Sequence, residues 1–293
     1  MKLDFDVIVI GSGVAGMTAA IYLKRAGKTV AVIEKGAPGG QINKSFKVEN
    51  YPGFVEIDGP SLAMNIYEQM TKLGVSYEYG EVSKIEEQEN VLVVVTDRDR
   101  YHCKKVVVAT GRDSRKLPID RFDSFVSHGI SYCALCDGMF FKEKDVVVVG
   151  GGNSAFEDAL YLSSICAHVT ILNRSDRLRA DQVLIEEVKA KQNIELRLGM
   201  QIQELIGESV IEGVLLSNGE KLSCNGIFVA IGAVPNSQFL DSLNLDMEDG
   251  YLIVNEKMQT SNPNIYACGD AIKKSVYQLT TAVGEAATAA TSL

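Results

Sequence analysis

One pattern occurs twice in this chain, 139 residues apart. "DVIVIGSGVAG", from Asp6 to Gly16, is an apolar strand, a Gly-rich turn and the start of a helix. "DVVVVGGGNSA", from Asp145 to Ala155, repeats it. Behind each lies a second strand, "TVAVIE" ending at Glu34 and "HVTILN" ending at Asn173. Strand, helix and parallel strand make a βαβ unit. Each turn satisfies the dinucleotide fingerprint, with Gly11, Gly13 and Gly16 in the first copy and Gly150, Gly152 and Ala155 in the second. Glycines there let backbone N–H groups approach a pyrophosphate, and the helix N-terminus then faces that anion. Glu34 supplies the acid that accepts from ribose hydroxyls in the first copy; the second has Asn173 in its place.

Each unit also carries a β-rich stretch. "ENVLVVVTDRDRYHCKKVVVATG" reads as two antiparallel strands running into Ala109-Thr110-Gly111, and "VIEGVLLSNGEKLSCNGIFVAIG" repeats that layout with Ser217-Asn218-Gly219 as the turn. The expected fold is therefore α/β, with two Rossmann-like, doubly wound domains, each holding a β-meander. The tail, "NPNIYACGD" and a helix-like "SVYQLTTAVGEAATAATS", has no third sheet to join and is expected to return to the first domain. That makes the first domain discontinuous, 1–114 with 238–293, and the second 115–237.

The formal net charge is -9, which disfavours nucleic-acid binding. No apolar run approaches the ~20 residues of a membrane span. The start, "MKLDFDVIVIGSG", lacks a signal-peptide core, so a cytoplasmic protein is expected.

Six cysteines are present: Cys103, Cys133, Cys136, Cys166, Cys224 and Cys268. Only "CALCDG", Cys133 to Gly138, brings two close together. A metal site would want a second pair, or histidines at ligand spacing, and His102, His128 and His168 are scattered. No metal is expected, and the pair reads as a redox dithiol. Asp137 follows at once, either as a proton donor and acceptor or as part of a plain Asp-Gly turn. The other four cysteines sit in or beside apolar stretches and read as buried small hydrophobes.

These motifs, with "PGGQI" (Pro38–Ile42), "VENYPGF" (Val48–Phe54), "IGAVPN" (Ile231–Asn236) and "ACGDA" (Ala267–Ala271), resemble the low-molecular-weight thioredoxin reductases over nearly the whole chain. The resemblance implies an FAD enzyme that passes electrons to a Cys133–Cys136 disulfide and thence to thioredoxin. Cys136 would face the flavin, Cys133 would attack the substrate, and Asp137 would serve the leaving thiolate. It implies FAD contacts from Gly11, Ser12, Gly13, Ala15, Gly16, Glu34, Lys35, Gly40, Gln41, Asn50, Val82, Ala109, Thr110, Gly111, Gly269, Asp270, Tyr277, Gln278 and Leu279. A helix beginning after Gly269-Asp270 would aim its positive end at the flavin. The resemblance also implies a homodimer. Rotation of one domain, with hinges near Arg115 and Asn236, would expose Cys133.

The electron donor is where the chain departs from that family. A member using NADPH carries a His-Arg-Arg triplet after the second strand, with another Arg a few residues on. Here "ILNRSDRLRAD" has Asn173 for His and Ser175 for the second Arg, while Arg174 and Arg179 remain and Arg177 stands near enough to compensate. A nucleotide site would use Gly150, Gly152, Asn153, Ser154, Ala155, Arg174 and Arg179. A lost charge-assisted bond costs on the order of 1.5–3 kcal/mol. Near the flavin, the family's Tyr-Arg-Gln is Val276-Tyr277-Gln278. Both departures resemble the ferredoxin-dependent flavin thioredoxin reductases, and Lys273-Lys274 could meet an acidic ferredoxin. The donor expectation leans to ferredoxin over NADPH. A non-catalytic flavin redox sensor is the remaining alternative.

Overall fold

In a computed structural model, which describes residues 3–45, 47–88 and 91–293, the chain divides into two compact units. One comprises residues 1–113 with 234–293, the other residues 114–233.

The first unit is built on a seven-stranded sheet. β1 (Phe5–Ile10) is buried from Val7 onward, the pattern of a strand covered on both faces. It pairs in parallel with β2 (Val30–Glu34), Val7 opposite Val30 and Ile10 opposite Ile33. Between them runs the helix α1 (Val14–Arg25), with Gly13 as its N-cap. A second helix, α2 (Gly59–Lys72), starts at Asp58, whose side chain accepts the Ser61 N–H. β3 (Ser76–Tyr79) then joins the edge of β2. β4 (Val82–Gln88) and β5 (Val91–Thr96) form the meander with β6 (Arg100–Val108); Glu89 and Asn90, which head the first expected β-stretch, lie outside the described residues. β6 is long enough to serve three partners. From Cys103 to Val108 it is parallel to β1, its first four residues pair with β5, and its last three residues pair with the short strand Ile265–Ala267. The tail thus enters the sheet beside β6, and its helix Leu279–Thr291 packs on α1. The buried face of that helix is Ala282, Ala286, Ala289 and Ala290, small enough for a close helix–helix approach.

The expected helix after Gly269-Asp270 is not there. Those residues form a single 3-10 turn, Gly269–Ala271, and the helix starts at Leu279. Between them the Lys273 N–H bonds the Leu252 carbonyl, so this stretch follows a neighbouring strand instead of coiling. Gln278 caps the helix, its side chain on the Thr281 N–H and the Thr281 hydroxyl accepting from the Gln278 N–H at 3.2 Å.

The second unit holds a five-stranded parallel sheet in the order Ile194–Leu198, His168–Asn173, Asp145–Val149, Gly226–Val229, Ile130–Ser131. Its helix Asn153–Ser163 begins at Gly152 and buries Ala155, Phe156, Ala159 and Leu162. Burying a side chain such as Phe156 stabilises by roughly 1.5–3 kcal/mol. The meander differs from that of the first unit. Ile202–Ile206, Gly213–Leu216 and Lys221–Ser223 form their own three-stranded antiparallel sheet, because a break at Cys224-Asn225 separates the last of them from Gly226–Val229. Among the described residues no helix is long and apolar enough to cross a membrane.

Candidate active site

The Cys133–Cys136 pair follows the edge strand Ile130–Ser131 and closes into a disulfide with the Cα atoms 5.3 Å apart. A one-turn helix, Ala134–Asp137, holds the loop; the Cys136 N–H points at the Cys133 sulfur at 3.2 Å. Ser131 organises the turn. Its hydroxyl oxygen accepts the Cys133 N–H at 3.0 Å and its O–H donates to Asp137 Oδ2 at 2.6 Å. Burial raises the Asp137 carboxyl above its ordinary value, and the Ser131 hydrogen bond pulls it partly back. A carboxyl so placed keeps its proton to a higher pH and can hand it to a neighbouring thiolate. On the helix Asn153–Ser163, burial and then the Glu157 charge push Asp158 up to about 7, at a residue that no sequence signal singles out.

The other cysteines are of another kind. Burial above all pushes the thiols of Cys103, Cys224 and Cys268 up to about 12 and that of Cys166 to about 11. They are protonated and inert at neutral pH.

In the first unit the Gly-rich turn is shaped by close approach. Gly11, at φ +98°, has no room for a side chain, since a Cβ would lie 2.5 Å from the Ala109 carbonyl oxygen. At Gly13 a Cβ would meet nothing within 4 Å, which is the open cradle a pyrophosphate needs. Three hydrogen bonds brace Glu34. Its Oε2 accepts the Ser12 N–H at 2.7 Å and the Ser12 hydroxyl at 2.9 Å, and its Oε1 accepts the Gly36 N–H at 2.8 Å. Lone pairs remain for ribose hydroxyls. A cavity of about 430 Å³ opens here, lined by Gly11, Glu34, Lys35, Val82 and Thr110, with Asn236 and Phe239 from the start of the 234–293 segment. Gly39 and Gly40 close in from the side, the Gly39 N–H donating to the Ser12 carbonyl at 2.8 Å. Gly269 meets Ala15: a Cβ on the glycine would be 2.8 Å from the alanine's. The residues present therefore fit a dinucleotide with an adenosine end at Glu34.

A second group of the expected flavin-side residues gathers around the tail. Gln41 Nε2 donates to Asp113 Oδ1 at 2.9 Å and to the Arg112 carbonyl at 3.3 Å. Asn50 donates to Gln278 Oε1 at 3.2 Å. Arg112 lies among them, its guanidinium 3.7 Å from the Tyr277 ring centroid and 3.5 Å from Asp270. Nothing local in the sequence marks Arg112; its partners are far along the chain. Gly111 and Leu279 flank the group, as the residue before Arg112 and the first residue of the tail helix.

In the second unit Asn173 is buried, and its amide folds the following loop, donating to the Ser175 carbonyl at 2.6 Å and the Arg177 carbonyl at 3.1 Å. The loop returns to the second Gly-rich turn, where the Arg179 N–H donates to the Gly151 carbonyl at 2.7 Å and Asn153 exchanges hydrogen bonds with Asp181. Gly152 is open as Gly13 is, with Ser154 and Ala155 next along the helix. Arg174, Arg177 and Arg179 are exposed and form no ion pair among the described residues.

The sequence profile described as pyridine nucleotide-disulphide oxidoreductase matches residues 5–286. The chain belongs to that family. Within it, this oxidoreductase is a flavin-dependent enzyme of the low-molecular-weight thioredoxin reductase group. It is 36% identical over 295 residues to a thioredoxin reductase of Bacillus subtilis, covering 99% of this chain and 93% of that one. It is 37% identical to one of Listeria innocua, covering 96% and 90%. Its fold matches the crystal structure of thioredoxin reductase from Streptococcus pyogenes with a TM-score of 0.94 at 40% identity, over 98% of this chain and 96% of that one. Lys273 and Lys274, the pair expected to meet an acidic ferredoxin, both form ion pairs within the chain. Lys273 is bound to Glu248 at 2.7 Å and Asp249 at 3.0 Å, and Lys274 to Glu285 at 2.8 Å and Asp270 at 3.5 Å.

Proposed function

We propose that this chain reduces the disulfide of thioredoxin, drawing electrons from NADPH through FAD to the Cys133–Cys136 pair. The observation that carries the reading is the disulfide itself, set beside a carboxyl whose pKa burial raises and which Ser131 holds in place. In this reading the unit of residues 1–113 and 234–293 binds FAD, and residues 114–233 carry the dithiol and take the nicotinamide nucleotide. FAD, when bound, supplies the two-electron chemistry that a nicotinamide and a disulfide share.

The chain's own chemistry is thiol exchange. Two electrons and two protons convert the Cys133–Cys136 disulfide to two thiols. Cys133, as thiolate, attacks one sulfur of the thioredoxin disulfide; the other thioredoxin sulfur leaves and takes a proton. Cys136 then attacks the mixed disulfide, frees the second thioredoxin thiol and restores the starting bond. Asp137 carries the proton at the leaving thiolate.

NADPH replaces ferredoxin as the favoured donor for two reasons. The lysine pair that could have met an acidic partner is engaged within the chain. Three arginines without an ion pair among the described residues stand on the loop after the second βαβ strand, where a 2′-phosphate would be recognised. Anaerobic mixing with NADPH, NADH or reduced ferredoxin tests this through the flavin colour. Rapid bleaching by NADPH supports it; bleaching by ferredoxin alone overturns the donor. The reading includes a homodimer, which sedimentation of the FAD-loaded protein checks.

A further inference from the structure

We propose that Arg112 is an electrostatic positioning residue of the FAD site, its guanidinium supplying the positive charge that position 277 does not carry. The proposal rests on the FAD reading and goes beyond it by naming a residue that no motif marks. Four contacts fix this residue. The guanidinium lies over the Tyr277 ring, 3.7 Å from its centroid. Nε sits 3.5 Å from Asp270 Oδ2, and an NH donates to the Tyr251 hydroxyl at 3.4 Å. Its own carbonyl accepts from Gln41. Tyr251 packs on Tyr277 with ring centroids 5.8 Å apart, so the ring that carries the guanidinium is itself held. Asp270, Tyr277 and Gln41 are three of the residues expected at the flavin, and Arg112 touches or binds all of them.

Arg112 is one of the cations that face the carboxyls of this group. Lys274 faces Asp270 and Glu285, and Arg112 faces Asp270, while Gln41 holds Asp113 and Lys44 at the edge. Removing Arg112 leaves the group one charge more negative. A reduced flavin carries added negative charge, so that loss disfavours the reduced cofactor more than the oxidised one. A flat guanidinium suits the ring in a way a lysine ammonium does not, which separates the two roles of charge and stacking.

The test uses FAD-loaded protein with Arg112→Gln, Arg112→Lys and the double change Arg112→Gln with Tyr277→Arg, which moves a guanidinium to the place the ring now fills. Two quantities are read for each: the FAD dissociation constant from flavin fluorescence, and the flavin midpoint potential against a reference dye. Arg112→Gln is expected to shift the balance between oxidised and reduced FAD about tenfold towards oxidised, which is ~30 mV for a two-electron couple. Arg112→Lys and the double variant are expected to recover most of it. An unchanged potential in Arg112→Gln overturns the proposal. Should Arg112→Gln fail to hold FAD, the affinities decide: recovery by lysine or by the double variant supports it, and recovery by neither makes Arg112 a structural tie and overturns it. Wild-type protein that takes up no FAD would instead bring down the FAD reading on which this stands.

Discussion

Gly16 and Ala155 hold the same place in the two copies of the Gly-rich turn, yet only one of them has room for a methyl group. A Cβ on Gly16 would lie 1.9 Å from the Gly11 carbonyl oxygen, while the second turn accommodates the Ala155 methyl beside Gly150. Gly16→Ala must push the turn apart, at about 1–3 kcal/mol, and should abolish or sharply weaken FAD uptake, read as the flavin-to-protein absorbance ratio after reconstitution. Retention of full flavin content would contradict the cradle assignment. At the dithiol, Ser131 holds Asp137 down towards its ordinary pKa while burial pushes it up. Ser131→Ala removes the hydrogen bond that lowers it, so the carboxyl keeps its proton to a still higher pH. The pH profile of thioredoxin reduction should then move its Asp137 limb upward; a downward move would show that Ser131 does not stabilise the carboxylate. The glycines and the cysteine pair are legible in the sequence, whereas Ser131 is not, because its role comes from meeting Cys133 and Asp137 in the folded turn. Nor is Arg112, because its role comes from meeting Tyr277 and Asp270 in space.

Among the elements, the βαβ units are the most readable. Their strands are mostly apolar runs, and the helices begin at the second glycine of the fingerprint, Gly13 or Gly152. The tail is less so. Its apolar spacing continues through "SVYQLTT", but the chain hydrogen-bonds to Leu252 first and coils only from Leu279. What sets that start is the reciprocal pair of Gln278 and Thr281. Thr281→Ala should cost about 1 kcal/mol, seen as a lower Tm, and should loosen Gln278 from Asn50. An unchanged Tm would mean that packing on α1 alone fixes the helix. The second meander is legible as strands but not as a separate sheet, since the break at Cys224-Asn225 follows from pairing rather than from composition.

At the scale of the whole molecule, pH acts through carboxyls shifted in opposite directions. Asp6 is held well below the ordinary range, first by Lys104 and then by Thr29, so its contribution is present above the unfolded pKa and fades as pH falls. Asp158 works the other way. With its folded pKa up at about 7, stability is lost as pH rises from about 4 to about 7 and is level beyond. The ionised form costs up to ~4 kcal/mol. Asp158→Asn should therefore raise the Tm clearly at about pH 8 and little at about pH 4; equal effects at both would rule out burial of this carboxyl as the cause. The central claim, that one chain joins a flavin to a redox disulfide, is tested most directly by anaerobic reductive titration of the FAD-loaded protein. The account predicts that the wild type takes up two electrons in the flavin and two more in the Cys133–Cys136 bond, and that the variant with both cysteines changed to serine takes up the first two only. Equal uptake by the two proteins would contradict it.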